Sequence, residues 1–150
     1  MVVLALLLSG VFLFLAGLHV YWARGGFWPG TDAQSFLEHV VGSSPSGATP
    51  SPAACLAVAF LLSIAACLPL ALVGWVQLPF LSLLIAGVPL VLMAGYVCGG
   101  VLLLRGLFGY VDHRVRPAIR KTPFFRLNRV LYSPLCLLIG SAMLYLSFLA

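Results

Sequence analysis

Charged side chains are scarce in this chain of 150 residues: only 7% are Asp, Glu, Lys or Arg, and only three residues are acidic. A soluble globular protein carries about 25% charged residues, so this composition excludes an aqueous fold. What the chain has instead is apolar, since 63% of its residues are hydrophobic and its mean hydropathy is +1.15. The protein is therefore predicted to reside in a membrane.

Charge is absent altogether from four long apolar blocks. They cover residues 2–23, 53–76, 79–104 and 132–150. A helix needs about 20 apolar residues to cross a hydrocarbon core, so each block is predicted to cross the bilayer once. The fold class is all-α: one domain over 1–150, a four-helix transmembrane bundle with short amphipathic helices on the cytoplasmic side. Residues 43–52, rich in Ser and Pro, are predicted to form a flexible linker.

Several motifs that carry chemistry are also missing. The four cysteines lie inside the apolar blocks, without a CxxC pair or a metal-ligand spacing with histidine, and each is expected to act as a small hydrophobe. No acidic residue lies in a predicted span, which argues against a proton-coupled exporter. A P-loop and a GxGxxG motif are absent. We expect no cofactor and no metal, and the sequence favours a protein that is not an enzyme.

The basic residues are concentrated in two loops. Seven lie in residues 105–131, and the eighth is Arg24 in the first loop. Cytoplasmic loops collect Lys and Arg, which predicts that both long loops face the cytoplasm and both termini the outside of the cell inner (plasma) membrane. Basic loops beside a membrane favour anionic lipid headgroups as partners, and not nucleic acid. A membrane-protein partner or a homodimer stays open.

The first loop carries signals for a short helix. Thr31 or Asp32 can cap its N-terminus, and Gly42 can end it. Phe36 and Val40 are four residues apart and would share one face of this helix. It is expected to lie in the membrane interface.

The third loop carries a similar signal twice. Thr122 and Pro123 have the order of a cap and a first helical residue, which predicts a short basic helix to about Tyr132 that sits on anionic lipid. Ser133 and Pro134 repeat the signal and predict the start of the fourth spanning helix.

Helices two and three contain residues that affect packing. Pro69 and Pro89 are each expected to lie within a helix, where a proline can introduce a kink. Gly95 and Gly99 form a GxxxG motif, which allows close helix packing, either within the chain or between two copies of it.

Two polar clusters lie where spans meet loops. The first ends helix one and the second opens helix four, and together they form a candidate substrate or lipid site: His19, Tyr21, Trp22, Arg126, Asn128, Arg129, Tyr132 and Ser133. The predicted topology places both clusters at the cytoplasmic interface. We therefore expect helices one and four to pack side by side there, with His19 within one water-bridged hydrogen bond of residues 128–133.

Most of these residues also have a simpler interpretation. Trp22 and Tyr132 are typical interfacial anchors, and Arg126 and Arg129 are typical contacts of lipid phosphate. His19 lies about one turn inside the interface, where the simpler interpretation is a headgroup-level side chain bonded to a backbone carbonyl. As an ionisable group within a span, it is also a functional candidate by default.

The two end motifs, LHVYWARGGFWPG and RLNRVLYSPLCLLIG, resemble a bacterial family of small four-helix membrane proteins catalogued as a domain of unknown function. The resemblance spans nearly the whole chain. It implies the architecture and the candidate positions, and it implies no activity. The positions that match the family pattern are His19, Tyr21, Trp22, Gly25, Gly26, Arg126, Asn128, Arg129, Tyr132, Ser133, Pro134 and Cys136.

Two functions stay open at this point. The first is a non-enzymatic accessory or lipid-interacting membrane protein with an anionic-headgroup site at the cytoplasmic interface. The alternative is a membrane-embedded enzyme or carrier for a lipophilic substrate, with His19, Asn128, Arg129 and Tyr132 at its polar mouth. A concave pocket that joins both motifs would favour the alternative.

Overall fold

The structure, a computed structural model, describes residues 1–42, 49–77, 83–85 and 87–150. Its elements are α1 (Val2–Ala23), α2 (Ala33–Phe36) with a π-helical continuation (Leu37–Val41), α3 (Pro52–Leu72), strands β1 (Leu84–Ile85) and β2 (Val88–Pro89), α4 (Leu90–Val115), a 3₁₀ turn (Pro117–Lys121), α5 (Pro123–Leu127), a π-helical turn (Asn128–Tyr132) and α6 (Ser133–Leu149). Within these ranges, α1, α3, α4 and the continuous helix from α5 to α6 are long and apolar enough to cross a membrane. The predicted four-helix membrane fold is confirmed.

The four spanning helices pack mainly as two pairs, α1 with α3 and α4 with α6. In the first pair, the Ser9 hydroxyl donates to the Ala66 carbonyl oxygen over 2.7 Å. In the second pair, α4 turns a glycine face to α6: a Cβ at Gly99 would lie 3.0 Å from the carbonyl oxygen of Gly140. Glycines let helix backbones approach closely, and the GxxxG motif therefore packs within the chain.

The hydrophobic core joins three helices near the end of the bundle that carries the termini. Its buried members come from the first half of α1, the second half of α3, and α6 from Ile139 onward: Ala5, Leu8, Phe12, Ala66, Leu68, Leu72, Ile139, Met143 and Leu146. A second group of buried apolar side chains lies at the opposite end, where the first and third loops meet: Phe36, Leu37, Ile119 and Phe124. The loops are thus packed parts of the fold.

The first loop forms the helix that its capping residues predict. The Asp32 carboxylate accepts a hydrogen bond from the Ser35 amide over 2.8 Å, and the helical segment ends at Gly42, whose φ of +91° is costly for any residue with a side chain. The predicted linker 43–52 lies largely outside the described residues. Its last part differs from the prediction, because Ser51 caps α3 and Pro52 is already the first helical residue.

The third predicted span, 79–104, is wrong at both ends. The part of 83–89 that the structure describes forms an antiparallel hairpin in which Leu84 pairs with Pro89, and α4 runs from Leu90 to Val115. Pro89 cannot donate a backbone hydrogen bond and favours an extended residue before it, while Gly87 supplies a turn with φ +81°. Hydropathy alone does not separate a short apolar strand from a helix, so it predicts one helix for the whole of 79–104. Pro89 precedes α4 and does not kink it.

Candidate functional site

The first motif is held by bonds near the end of α1. The Nδ1 of His19 donates to the carbonyl oxygen of Leu15 over 2.8 Å, and its ring meets the Trp22 ring edge-on at 4.7 Å. The Trp22 indole N–H donates to the Trp28 carbonyl oxygen over 2.7 Å. Tyr21 is exposed. These contacts fold the end of the helix back onto the turn that follows it.

The second motif forms a buried polar cluster between α4 and the start of α6. Asn128 is 1% exposed and Ser133 is 0% exposed. The Asn128 side-chain amide donates to the Gly109 carbonyl oxygen over 2.8 Å, and its Oδ1 accepts from the Ser133 hydroxyl over 3.3 Å. The candidate residues Asn128 and Ser133 are therefore partners of each other and of α4.

Ser133 does not cap a new helix, contrary to the sequence prediction. The helix that begins at Pro123 continues through the π-helical turn Asn128–Tyr132 directly into α6. Pro134 lacks an amide hydrogen and its ring crowds the preceding turn, so a widened turn just before it is a natural accommodation. The wide turn lets the Ser133 amide bond to the Asn128 carbonyl oxygen and the two side chains bond to each other.

Arg105 also belongs to this cluster, although the sequence alone identifies it only as one of seven basic residues. Its Nη2 donates to Asn128 Oδ1 over 3.2 Å, and its Nη1 lies 3.0 Å from where a Cβ of Gly109 would be. The nearby Gly109, four residues on and on the same helical face, is the signal that could have indicated a guanidinium lying flat on α4.

The first and third loops are clamped together by two polar contacts. Arg116 bonds to the Asp112 carboxylate, with Nε to Oδ1 at 2.8 Å, and reaches across to donate to the Val41 carbonyl oxygen over 3.3 Å. The Tyr132 hydroxyl donates to the carbonyl oxygen of His39 over 3.2 Å. The hydrogen bond to Asp112 raises the pKa of Arg116 above its ordinary value, so this clamp keeps its charge.

Among the residues that the structure describes, the two motifs share no hydrogen bond, and the expected side-by-side packing of the first and last spanning helices at this end of the bundle is wrong. α1 packs chiefly along α3, and the described bonds of His19 stay within α1. The first loop contacts each motif separately: Phe36 meets Trp22 at 5.5 Å between ring centroids, whereas His39 bonds to Tyr132. The apolar side of the first-loop helix is buried here. Charge and topology instead predict that this helix lies at the membrane surface.

The remaining candidate residues, Arg126 and Arg129, are exposed on the same end of the molecule. Arg129 lies over the Phe125 ring, 5.5 Å from its centroid. Arg126 lines a shallow groove of about 480 Å³ whose other walls are His39, Pro123, Leu127, Val130 and Leu131. Four of its six lining residues are apolar, and Arg126 supplies a cation.

A second crevice lies at the first motif. It has a volume of about 200 Å³ and is lined by residues that include Trp22, Phe36 and Cys55. The two concavities have no lining residue in common. In the parts of the chain that the structure describes, no group of three or more His, Cys, Asp or Glu side chains could hold a metal ion.

Comparison with known proteins gives one result about family. Neither the curated proteins nor the solved structures contain a match to this chain. The family described as "Protein of unknown function (DUF3995)" matches residues 12–143, a range that includes both end motifs and all four spanning helices in whole or in part. The chain belongs to this family of unknown function.

Proposed function

We propose that this protein is a non-enzymatic, lipid-interacting membrane module that binds anionic headgroups at its basic end, the surface formed by residues 24–42 and 105–132. The groove beside Arg126 carries the proposal. Its apolar lining residues match an acyl chain, and the guanidinium of Arg126, which also lines it, matches a phosphate. In this proposal the basic end faces the cytoplasm and the membrane is the cell inner membrane, because cytoplasmic loops collect positive charge.

The charge balance of the basic end supports an anionic partner. All eight basic residues of the chain lie in the two segments that form it, 24–42 and 105–132. The most deeply buried acid there, Asp112, is engaged with Arg116, which leaves Asp32 and Glu38 to oppose the exposed cations. Each basic residue near an anionic surface contributes about 1 kcal/mol of attraction at low salt.

An enzyme or carrier built on His19, Asn128, Arg129 and Tyr132 receives less support. The side chains of Asn128 and Tyr132 already bond to backbone carbonyl oxygens, over 2.8 and 3.2 Å. A general base or a nucleophile needs a partner in hydrogen-bond reach and an open position for the reacting atom. The internal bonds favour a structural role for these groups and a lipid-facing role for the exposed arginines.

The quadruple variant R120Q/K121Q/R126Q/R129Q tests the proposal. It is expected to co-purify with several-fold less anionic lipid than the wild type while remaining monodisperse, because the removed cations lie outside the core. The measurement is mass spectrometry of the lipids retained after mild detergent extraction. Unchanged lipid content would mean that these charges only set topology.

A matched pair of single variants tests the groove itself. Arg126→Gln removes a cation that lines the groove, whereas Arg114→Gln removes an exposed cation of the same basic end that does not line it. We expect the first variant to lose more anionic lipid than the second. Equal losses would assign the lipid enrichment to diffuse charge and overturn the groove as a site.

A further inference from the structure

Arg105 is the first charged residue after the apolar run of α4, which ends at Leu104, and a charge at the end of a spanning run is expected near the lipid phosphates. Arg105 follows Leu90, the first residue of α4, by fifteen positions, or about 22 Å at 1.5 Å per residue. Its neighbour Gly106 packs against the Ser133 carbonyl oxygen, and Ser133 is the first residue of α6. The helix α6 is about 25 Å long. Arg105 therefore lies level with the end of α6 that faces the loops.

The protein fixes the orientation of this guanidinium. Nη2 donates to Asn128 Oδ1, and Asn128 is itself locked by its bonds to Gly109 and Ser133. The absence of a side chain at Gly109 leaves room for Nη1 against the helix. Arg105 is nevertheless an exposed residue. A guanidinium has five N–H donors in a planar fork. Within the residues that the structure describes, the bond to Asn128 is the one hydrogen bond that Arg105 makes, so its other donors can reach a ligand.

The surface of α4 next to Arg105 is an apolar track. Val101 and Val97 lie four and eight residues before Arg105, so the three share one helical face. These valines are 59% and 65% exposed. The track runs for about 12 Å toward the middle of the bilayer. A cation with apolar surface directly beneath it has the chemistry of a phospholipid: a phosphate joined to an acyl chain.

We propose that Arg105, oriented by Asn128, binds the phosphate of a single phospholipid whose acyl chain lies along Val101 and Val97. Arg105 contacts the lipid directly, and Asn128 is a positioning residue. Recognition is of the phosphodiester, so zwitterionic and anionic phospholipids both bind. This site is separate from the groove at Arg126, and either site can fail without the other.

The test uses the full chain, delipidated in detergent and titrated with phosphatidylethanolamine or phosphatidylglycerol, with bound lipid counted by native mass spectrometry. Arg105→Gln is expected to weaken the first binding event of both lipids by about ten-fold, because a charge-assisted hydrogen bond is lost. Arg105→Lys keeps the charge but loses the planar set of donors, so its affinity for both lipids is expected to lie between those of the wild type and Arg105→Gln. Arg114→Gln removes the same charge from an exposed position of the same helix, and its binding of zwitterionic phosphatidylethanolamine should match that of the wild type.

Asn128→Ala extends the test to the positioning residue. It is expected to weaken lipid binding in the presence of Arg105 and to have no further effect in Arg105→Gln, whereas a merely structural role would lower the melting temperature equally in both backgrounds. Each variant is used only after its melting temperature without lipid shows a folded protein.

Four results would overturn the proposal. Arg105→Gln could bind like the wild type, or it could lose no more than Arg114→Gln, which would leave only net charge. Binding of phosphatidylglycerol alone would mean that the headgroup charge, and not the phosphodiester, is recognised. Displacement by millimolar inorganic phosphate would assign the site to a free anion. If R120Q/K121Q/R126Q/R129Q bound less phosphatidylglycerol than the wild type but the same amount of phosphatidylethanolamine, the site at Arg105 would be distinct from the headgroup site formed by those four cations.

Discussion

Gly109 stands where α4 comes closest to the polar cluster. A Cβ at this position would overlap the Ser133 hydroxyl and approach Arg105 Nη1 and Asn128 Nδ2 at 3.0 and 3.1 Å. All three neighbours belong to one bonded network, so none can move without disturbing the others. Glycine is required here by space, since its φ is unremarkable for a helix.

Gly109→Ala is therefore expected to destabilise the protein by about 1–3 kcal/mol, the usual cost of overpacking. Gly100→Ala is the control, because it lies on the same helix with nothing within 4 Å of its Cβ position, and alanine there should be neutral or stabilising by up to about 1 kcal/mol. Thermal unfolding in detergent compares the two. Equal melting temperatures would contradict the close approach of α4 and α6 at Gly109.

For single residues, the sequence indicates which side chains need a hydrogen bond, but it does not indicate which groups supply that bond. An amide at a lipid boundary requires a hydrogen bond, and Asn128 indeed has one to Gly109. Its partner is 19 residues away on another helix, and no local pattern specifies such a pair. His19 was expected to bond to the 128–133 segment, but a carbonyl one turn back on its own helix, that of Leu15, already satisfies it.

The clamp between loops belongs to the scale of elements. Arg116 follows α4 and reaches the end of the first-loop helix at Val41, while its partner Asp112 is 2% exposed. The guanidinium thus neutralises a buried carboxylate and fastens one element to another. Removing one partner of such a pair leaves an unpaired buried group, which costs more than removing both.

We expect Arg116→Gln to lower stability by about 1–3 kcal/mol and to speed amide hydrogen exchange in Leu37–Val41. The double variant D112N/R116Q should recover part of the stability, because the buried charge is then gone. Arg114→Gln, an exposed cation two residues earlier, should leave exchange in the first loop unchanged. Exchange in Leu37–Val41 that is as slow in Arg116→Gln as in the wild type would mean that the clamp does not hold the loop.

The ends of a helix could be predicted where a single residue type determines the backbone conformation. Asp32 and Gly42 bound the first-loop helix as their chemistry requires. Prediction failed where the same residue suits two structures. Pro134 fits the first turn of a new helix, yet it also fits the interior of a helix that has widened into a π turn before it. Only the packing of Asn128 against α4 distinguishes these outcomes.

The whole molecule is divided along its length. The apolar core lies toward the termini, and the packed loops collect every basic residue at the other end. Composition predicted this division, because charge and hydropathy are properties that sum over the chain. Which helices pair was not predictable in the same way, since four apolar helices present similar surfaces and the choice rests on small residues such as Gly99 and Gly140.

This division leads to a prediction about orientation. Four spans place both termini on one side, and the charge of the loops is expected to hold that side outside the cytoplasm. A reporter that is active only outside the cytoplasmic membrane, fused after Ala150 in a bacterial host, should therefore be active. A fluorescent reporter that folds only in the cytoplasm, fused after Lys121 in a shortened chain, should also give signal, because that point lies in the basic third loop. A cytoplasmic signal at Ala150 would reverse the orientation and turn the basic end, with its groove at Arg126, away from the anionic leaflet that the proposed function requires.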